Sequence, residues 1–122
     1  MSEPTAAEPT PAELTPADFF AIDIRVGTVL EAHPFPEARK PSIKLVIDFG
    51  PEIGTRRSSA QITTHYRAES LVGRQVVAVT NIGTRRVAGF LSEVLVLGAM
   101  PGPTEVVLLA PDQRVANGTK IG

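Results

Sequence analysis

Apolar and polar residues alternate with a period of two in two stretches of this chain. Ile22-Asp23-Ile24-Arg25-Val26-Gly27-Thr28-Val29-Leu30 predicts a strand with Ile22, Ile24, Val26 and Leu30 inward. Gly27 in its middle predicts a bulge or sharp bend, as closed barrels need. His33-Pro34-Phe35-Pro36 should break that strand, with Arg39-Lys40-Pro41 continuing the loop. Ser42 to Phe49 then reads as a second strand, with Ile43, Leu45, Ile47 and Phe49 on one face. Gly50 to Gly54 is a turn, and Thr55 to Ile62 a polar third strand. Thr63 to Gly73 suits a helical turn closing at the glycine. The fourth strand is Gln75 to Thr80, the fifth Phe90 to Leu97, and Val106 to Leu109 a late apolar segment set apart by Met100-Pro101-Gly102-Pro103.

Upstream of the first strand, Thr15-Pro16-Ala17-Asp18 carries a helix start: a threonine cap, a proline at the first helical position and an acid at the third. That helix can only be short, because the alternating pattern begins at Ile22. Residues 1–14 are rich in Pro, Thr, Ala and Glu and read as a flexible tail, leaving 15–122 as one domain. Five strands with a short helix between the third and fourth match the all-β, five-stranded Greek-key barrel of the OB type, with short helical segments. Periodicity alone also permits a small sandwich.

Composition narrows the function. The chain has no Cys, no Trp and one Tyr. This excludes disulfides, thiolate zinc sites and a cysteine nucleophile, and argues against a broad base-stacking platform. No apolar run approaches the length of a membrane span, and no signal pattern opens the chain, so we expect a cytoplasmic protein without membrane insertion. The formal net charge of −1 hides an asymmetry. From Arg39 to Arg86 there are nine bases and three acids, a local charge of +6, which would attract anions.

The stretch Asn81 to Gly98 holds the most pointed chemistry. Arg85 and Arg86 sit on a polar connection between two apolar runs, where Arg offers a rigid fork of donors to carboxylate, phosphate or carbonyl groups. With Asn81 they read as a ligand clamp. Ser58-Ser59-Ala60-Gln61 adds hydroxyl and amide groups able to bond a peptide backbone or a ribose. Phe49 and Phe90 are candidate groove walls, although large apolar strand residues more often belong to the core. His33 and His65 have no nearby ligand cluster, Ser58-Ser59 lacks a nucleophile elbow, and no phosphate-cradling glycine loop is present. No metal, no cofactor and no enzymatic activity are expected.

Several motifs carry a family resemblance. Asp23-Ile24-Arg25-Val26-Gly27 resembles the opening of tRNA-binding OB domains, and Leu71 to Val76 and Asn81 to Glu93 resemble their later motifs. Within that superfamily, four stretches are similar to the CsaA family of export-related chaperones. They are 35–50 (FPEARKPSIKLVIDFG), 58–63 (SSAQIT), 85–98 (RRVAGFLSEVLVLG) and 111–122 (PDQRVANGTKIG). Ser59-Ala60 and Val94-Leu95 stand where the tRNA-binding branch has Ser-Gly and Gly-Met, which points to the chaperone branch. The resemblance implies a homodimer that binds unfolded or secretory polypeptides in a groove with basic residues around apolar pockets; tRNA is the alternative ligand. The candidate binding residues are then Arg39, Lys40, Phe49, Ser58, Ser59, Gln61, Asn81, Arg85, Arg86, Phe90 and Ser92.

Overall fold

Thr15 caps α1 (Pro16–Phe20) as its sequence predicts: its hydroxyl accepts from the Asp18 amide at 3.2 Å, and the Asp18 carboxylate accepts from the Thr15 amide at 2.8 Å. The computed structural model describes residues 12–122, so nearly all of the 1–14 tail lies outside the described residues. Beyond α1 the chain forms β1 (Ile24–Pro34), β2 (Ile43–Asp48), α2 (Gly50–Ile53) and β3 (Thr55–Ala60). A 3-10 turn at Ala68–Ser70 leads to β4 (Gln75–Val79). The last part holds β5 (Arg85–Val87), β6 (Phe90–Ser92), β7 (Leu95–Val96), β8 (Gly98–Ala99) and β9 (Val107–Leu108).

Five of these strands make one antiparallel sheet in the order β3-β2-β1-β4-β7. It curls into a nearly closed barrel of the OB type. The inward faces of β2 and β4 supply the core: Leu45, Ile47, Phe49 and Val76 are fully buried, with Leu71 from the loop before β4 filling one end. Every residue of β4 is buried, because both of its faces are covered. Ile24, Val26, Val77 and Val79 form a second small cluster on the other face.

Gly27 does not make the expected bulge. The register of β1 against β2 shifts between Val29 and Glu31, so Leu30 is the extra residue and its side chain points outward. Gly27 instead lets two strands approach. A Cβ there would stand 2.6 Å from Ile47 Cγ2 and 2.8 Å from the Phe49 ring. Ile22, expected inward, lies before the strand and is exposed. Pro34 does not break β1 either; it is the strand's last paired residue, opposite Ile43, an end position where a missing amide hydrogen costs no ladder bond. The Gly50–Gly54 turn contains the one-turn helix α2, and the predicted fifth strand is interrupted at Glu93.

The family-like Asp23-Ile24-Arg25 opening is explained by the C-terminal segment. Where β2 has ended, residues 118–121 run along the free side of β1: Gly118 N donates to Val26 O (2.7 Å), Val26 N to Thr119 O (2.9 Å) and Ile121 N to Ile24 O (2.9 Å). Arg25, 8% exposed, ties this arrangement together. Its Nε donates to Asp23 (2.9 Å), and its Nη1 to Glu52 (3.1 Å) and to the Gly118 carbonyl (3.0 Å). Asp23 also accepts a hydrogen bond from the Thr80 hydroxyl. That bond, and then Arg25, hold the Asp23 carboxyl below its ordinary value against the opposing effect of burial.

Candidate functional site

Barrel closure between β3 and the β6–β7 segment relies on side chains more than on a ladder. Glu93 N donates to Arg57 O (2.8 Å), while Arg57 N donates to the Glu93 carboxylate (3.0 Å). Ser59 N donates to Ser92 Oγ (3.0 Å), and Ser58 Oγ donates to Val94 O (3.2 Å). The amides along the edge of β3 are thereby satisfied by Ser92 and Glu93 without a paired strand. β3 ends at Ala60, and the chain continues beyond it through Gln61 and Thr63.

A groove of about 670 Å³ lies there. Its apolar floor comes from Leu95, Val96, Leu97, Met100 and Val106. One rim is Ser59, Gln61, Thr63 and Thr64, and cations stand at Lys40 and Arg85. A smaller pocket of about 360 Å³, with Ile82, Thr84 and Ser92 in its walls, adjoins it and shares Ser59, Arg85 and Leu95. No carboxylate side chain lines either space among the described residues. Leu95 faces out at 48% exposure because Val94 before it points into the core and the period is two.

The far wall is clasped across two loops. Thr64 Oγ1 donates to Thr104 O (2.8 Å), His65 Nε2 meets the Glu105 carboxylate (2.9 Å), and Leu108 N donates to the Tyr66 hydroxyl (2.9 Å). The near wall is the β5–β6 hairpin, whose turn places Ala88 and Gly89 both at positive φ, 47° and 83°. This is the backbone a two-residue hairpin with right-handed twist requires.

Of the residues singled out in the sequence, Lys40, Ser59, Gln61 and Arg85 line the groove, and Ser92 the adjoining pocket. Phe49 cannot wall a groove: it points inward from the end of β2 and is fully buried. Ser58 is buried too, its hydroxyl committed to Val94. Asn81 is committed to the fold, accepting from Asp23 N (2.9 Å) and donating to Ala21 O (2.8 Å). Arg86 reaches back to Gly89 O within its own hairpin (3.3 Å). Phe90 lies outside the groove, edge-on to Phe35 at 5.6 Å with Lys44 and Arg57 over its ring. Arg39 is exposed and does not line the groove.

The sequence reading missed the floor. Leu95, Met100 and Ile82 are exposed large apolar residues, and a strand expected to run unbroken to Leu97 hid the outward turn of Leu95. Thr63, Thr64 and Thr104 were missed because the meeting of their loops is a tertiary event. Chemically, the groove can take apolar side chains on its floor, bond a backbone along the β3 edge, and attract carbonyl or carboxylate oxygens to its cations. Among the described residues no group of three His, Asp or Glu side chains gathers to hold a metal.

Comparison with known proteins places this geometry. Residues 24–120 match the family described as "Putative tRNA binding domain". The solved structure of the chaperone CsaA from Bacillus anthracis is 54% identical, with a TM-score of 0.86 over 91% of this chain and 100% of that one. The CsaA chaperone of Picrophilus torridus is 45% identical, with a TM-score of 0.82 over 90% and 100%. Among curated relatives, the methionine–tRNA ligase of Bacteroides fragilis is 37% identical over 103 residues, which is 84% of this chain and 15% of that protein. The chain thus spans about 15% of the length of these curated relatives. With a matched core from Ile24 to Lys120, and correspondence to the whole of two CsaA structures, the chain belongs to the tRNA-binding-domain family and, within it, to the CsaA-type chaperones.

Proposed function

We propose that this protein is a non-enzymatic chaperone of the cytoplasm that holds extended segments of unfolded or secretory polypeptides in the groove between β3, the β5–β6 hairpin and β7–β8. The observation that carries this reading is the groove's make-up: a floor of Leu95, Val96, Leu97, Met100 and Val106 beside the polar groups of Ser59, Gln61 and Thr63. An extended chain can place alternate side chains on such a floor while its backbone bonds to Ser59, Gln61 and Thr63. The CsaA-type relatives, named as chaperones, support the same reading.

The protein works as a homodimer in this reading. Phe19 and Phe20 stack edge to face at 5.2 Å on α1, and Phe20, Ile22, Val107 and Leu109 are exposed. A self-complementary contact is the commonest way to cover such apolar surface. Sedimentation at micromolar concentration should give twice the 13.0 kDa chain mass; a monomer alone would refute the dimer.

A second reading is binding of tRNA, favoured by the family match over 24–120 and by the Lys44, Arg57 and Phe90 cluster. Titrating an unfolded polypeptide and tRNA at two salt concentrations separates the two. Polypeptide binding held by apolar contacts should change little with salt. Binding of single-stranded RNA loses affinity steeply, each phosphate contact contributing about 0.7 to the slope of log affinity against log salt. Salt-steep tRNA binding with no measurable polypeptide binding would replace the first reading by the second.

A further inference from the structure

A third cavity, of about 400 Å³, lies behind the clasped wall and shares no lining residue with the groove or its adjoining pocket. It is lined by Tyr66, Arg74, Gln75, Leu108, Pro111 and Arg114, together with Ala110. Two guanidinium groups face one space, and neither pairs with a carboxylate among the described residues. Arg74 rests over the Tyr66 ring at 5.3 Å. Arg114 is braced by carbonyl and hydroxyl oxygens, donating to Gly73 O (3.2 Å) and towards Thr28 Oγ1 (3.5 Å). Each keeps donors free, and each is held by uncharged neighbours that leave its charge unneutralised.

The surroundings are rigid. The Tyr66 hydroxyl is fixed by Leu108 N (2.9 Å). Gln75, 9% exposed, spends both ends of its amide on Val115, donating to its carbonyl (2.7 Å) and accepting from its amide (3.1 Å). The polar lining therefore presents two cations with no carboxylate side chain beside them. Leu108, Pro111 and the Tyr66 ring form an apolar wall beside them.

We propose that this cavity binds a phosphate monoester, its phosphate between Arg74 and Arg114 and its organic part against Tyr66, Leu108 and Pro111. A monoester carries about −1.5 to −2 at neutral pH, matching two guanidinium charges where a carboxylate would leave one over. The space exceeds what a bare phosphate fills and falls within the range of small-molecule sites.

Titration of the full chain with AMP, inorganic phosphate and adenosine, followed by calorimetry and by amide chemical shifts of Arg74 and Tyr66, tests this. AMP should saturate, phosphate should compete with it more weakly, and adenosine should not bind. Arg74→Gln should weaken AMP by about tenfold or more, the effect of losing a charged hydrogen-bond donor. Arg74→Lys, which keeps the charge and loses the fork, should fall between. Arg56→Gln removes the same charge elsewhere and should leave AMP affinity unchanged. Arg114→Gln also loosens the contact to Gly73, so Arg74→Gln, whose side chain only stacks on Tyr66, carries the test if the former fails to fold. Absence of saturation at millimolar AMP, equal binding of adenosine, or an equal loss in Arg56→Gln would overturn the proposal.

Discussion

The wall made of β2, β1 and β4 and the half of the barrel from β5 onward reach stability by different routes. In the wall, strands of five to eleven residues pair through long registers; β2 buries its alternating face, β4 both faces and β1 its first four residues. In the later half, strands of two or three residues are joined by side-chain bonds from Ser92 and Glu93 and by clasps between loops. Apart from Leu30 at the bulge and the half-buried Val46, the wall turns its large apolar residues inward. The later half leaves Leu95, Met100 and Val107 at the surface. A rigid scaffold thus carries a more loosely laddered rim, and the groove opens where the regular ladder stops.

Substitutions in the wall should therefore cost stability, and those in the rim should cost binding. The largest effect should follow Leu45→Ala, a truncation at a fully buried position, with a loss of about 2–5 kcal/mol in urea unfolding. Gly27→Ala should cost about 1–3 kcal/mol, because the added methyl must push Ile47 or Phe49 from its seat. A thermal midpoint equal to that of the unaltered protein would show that the wall is softer than its packing indicates. Ser92→Ala removes the acceptor of Ser59 N and should cost about 1 kcal/mol. Faster hydrogen exchange at the Ser59 amide would mark the loss as one of barrel closure.

Acid should probe the edge of the wall, where Asp23 ties the start of β1 to the end of β4. Its carboxyl is held below the ordinary value by Thr80 and Arg25, so the folded state binds a proton there less readily than the unfolded chain. That stability is present above the unfolded value of about 4 and is lost as pH falls through the lower folded value. Asp23→Asn should therefore flatten the fall in unfolding free energy below about pH 4. An unchanged acid slope would remove Asp23 from the account. Last in its effect on stability comes Leu95→Ser, within about 0.5 kcal/mol because the side chain is already exposed. The same change should weaken binding of an unfolded polypeptide by about tenfold through loss of the floor. If it instead unfolds the protein, the division between scaffold and rim is wrong.

The alternation of Ile43, Leu45, Ile47 and Phe49, the Thr15-Pro16-Asp18 cap and the four strands through Val79 were legible because each rests on local pattern. Periodicity says which face is apolar, and capping needs only three or four neighbouring residues. The sequence also determined that cations cluster between Arg39 and Arg86. What it could not show is which polar groups remain free once the chain closes. Asn81 and Ser58 look like ligand groups in one dimension, yet Asp23 and Val94, 58 and 36 residues away, claim them. Leu30 and Leu95 look like core and turn outward, one at a bulge and the other at an interrupted strand. The groove floor, the clasped loops and the cavity between Arg74 and Arg114 are all made by segments far apart in sequence. Only the tertiary structure decided them, because hydrogen-bond satisfaction and burial are fixed by which segments meet in space.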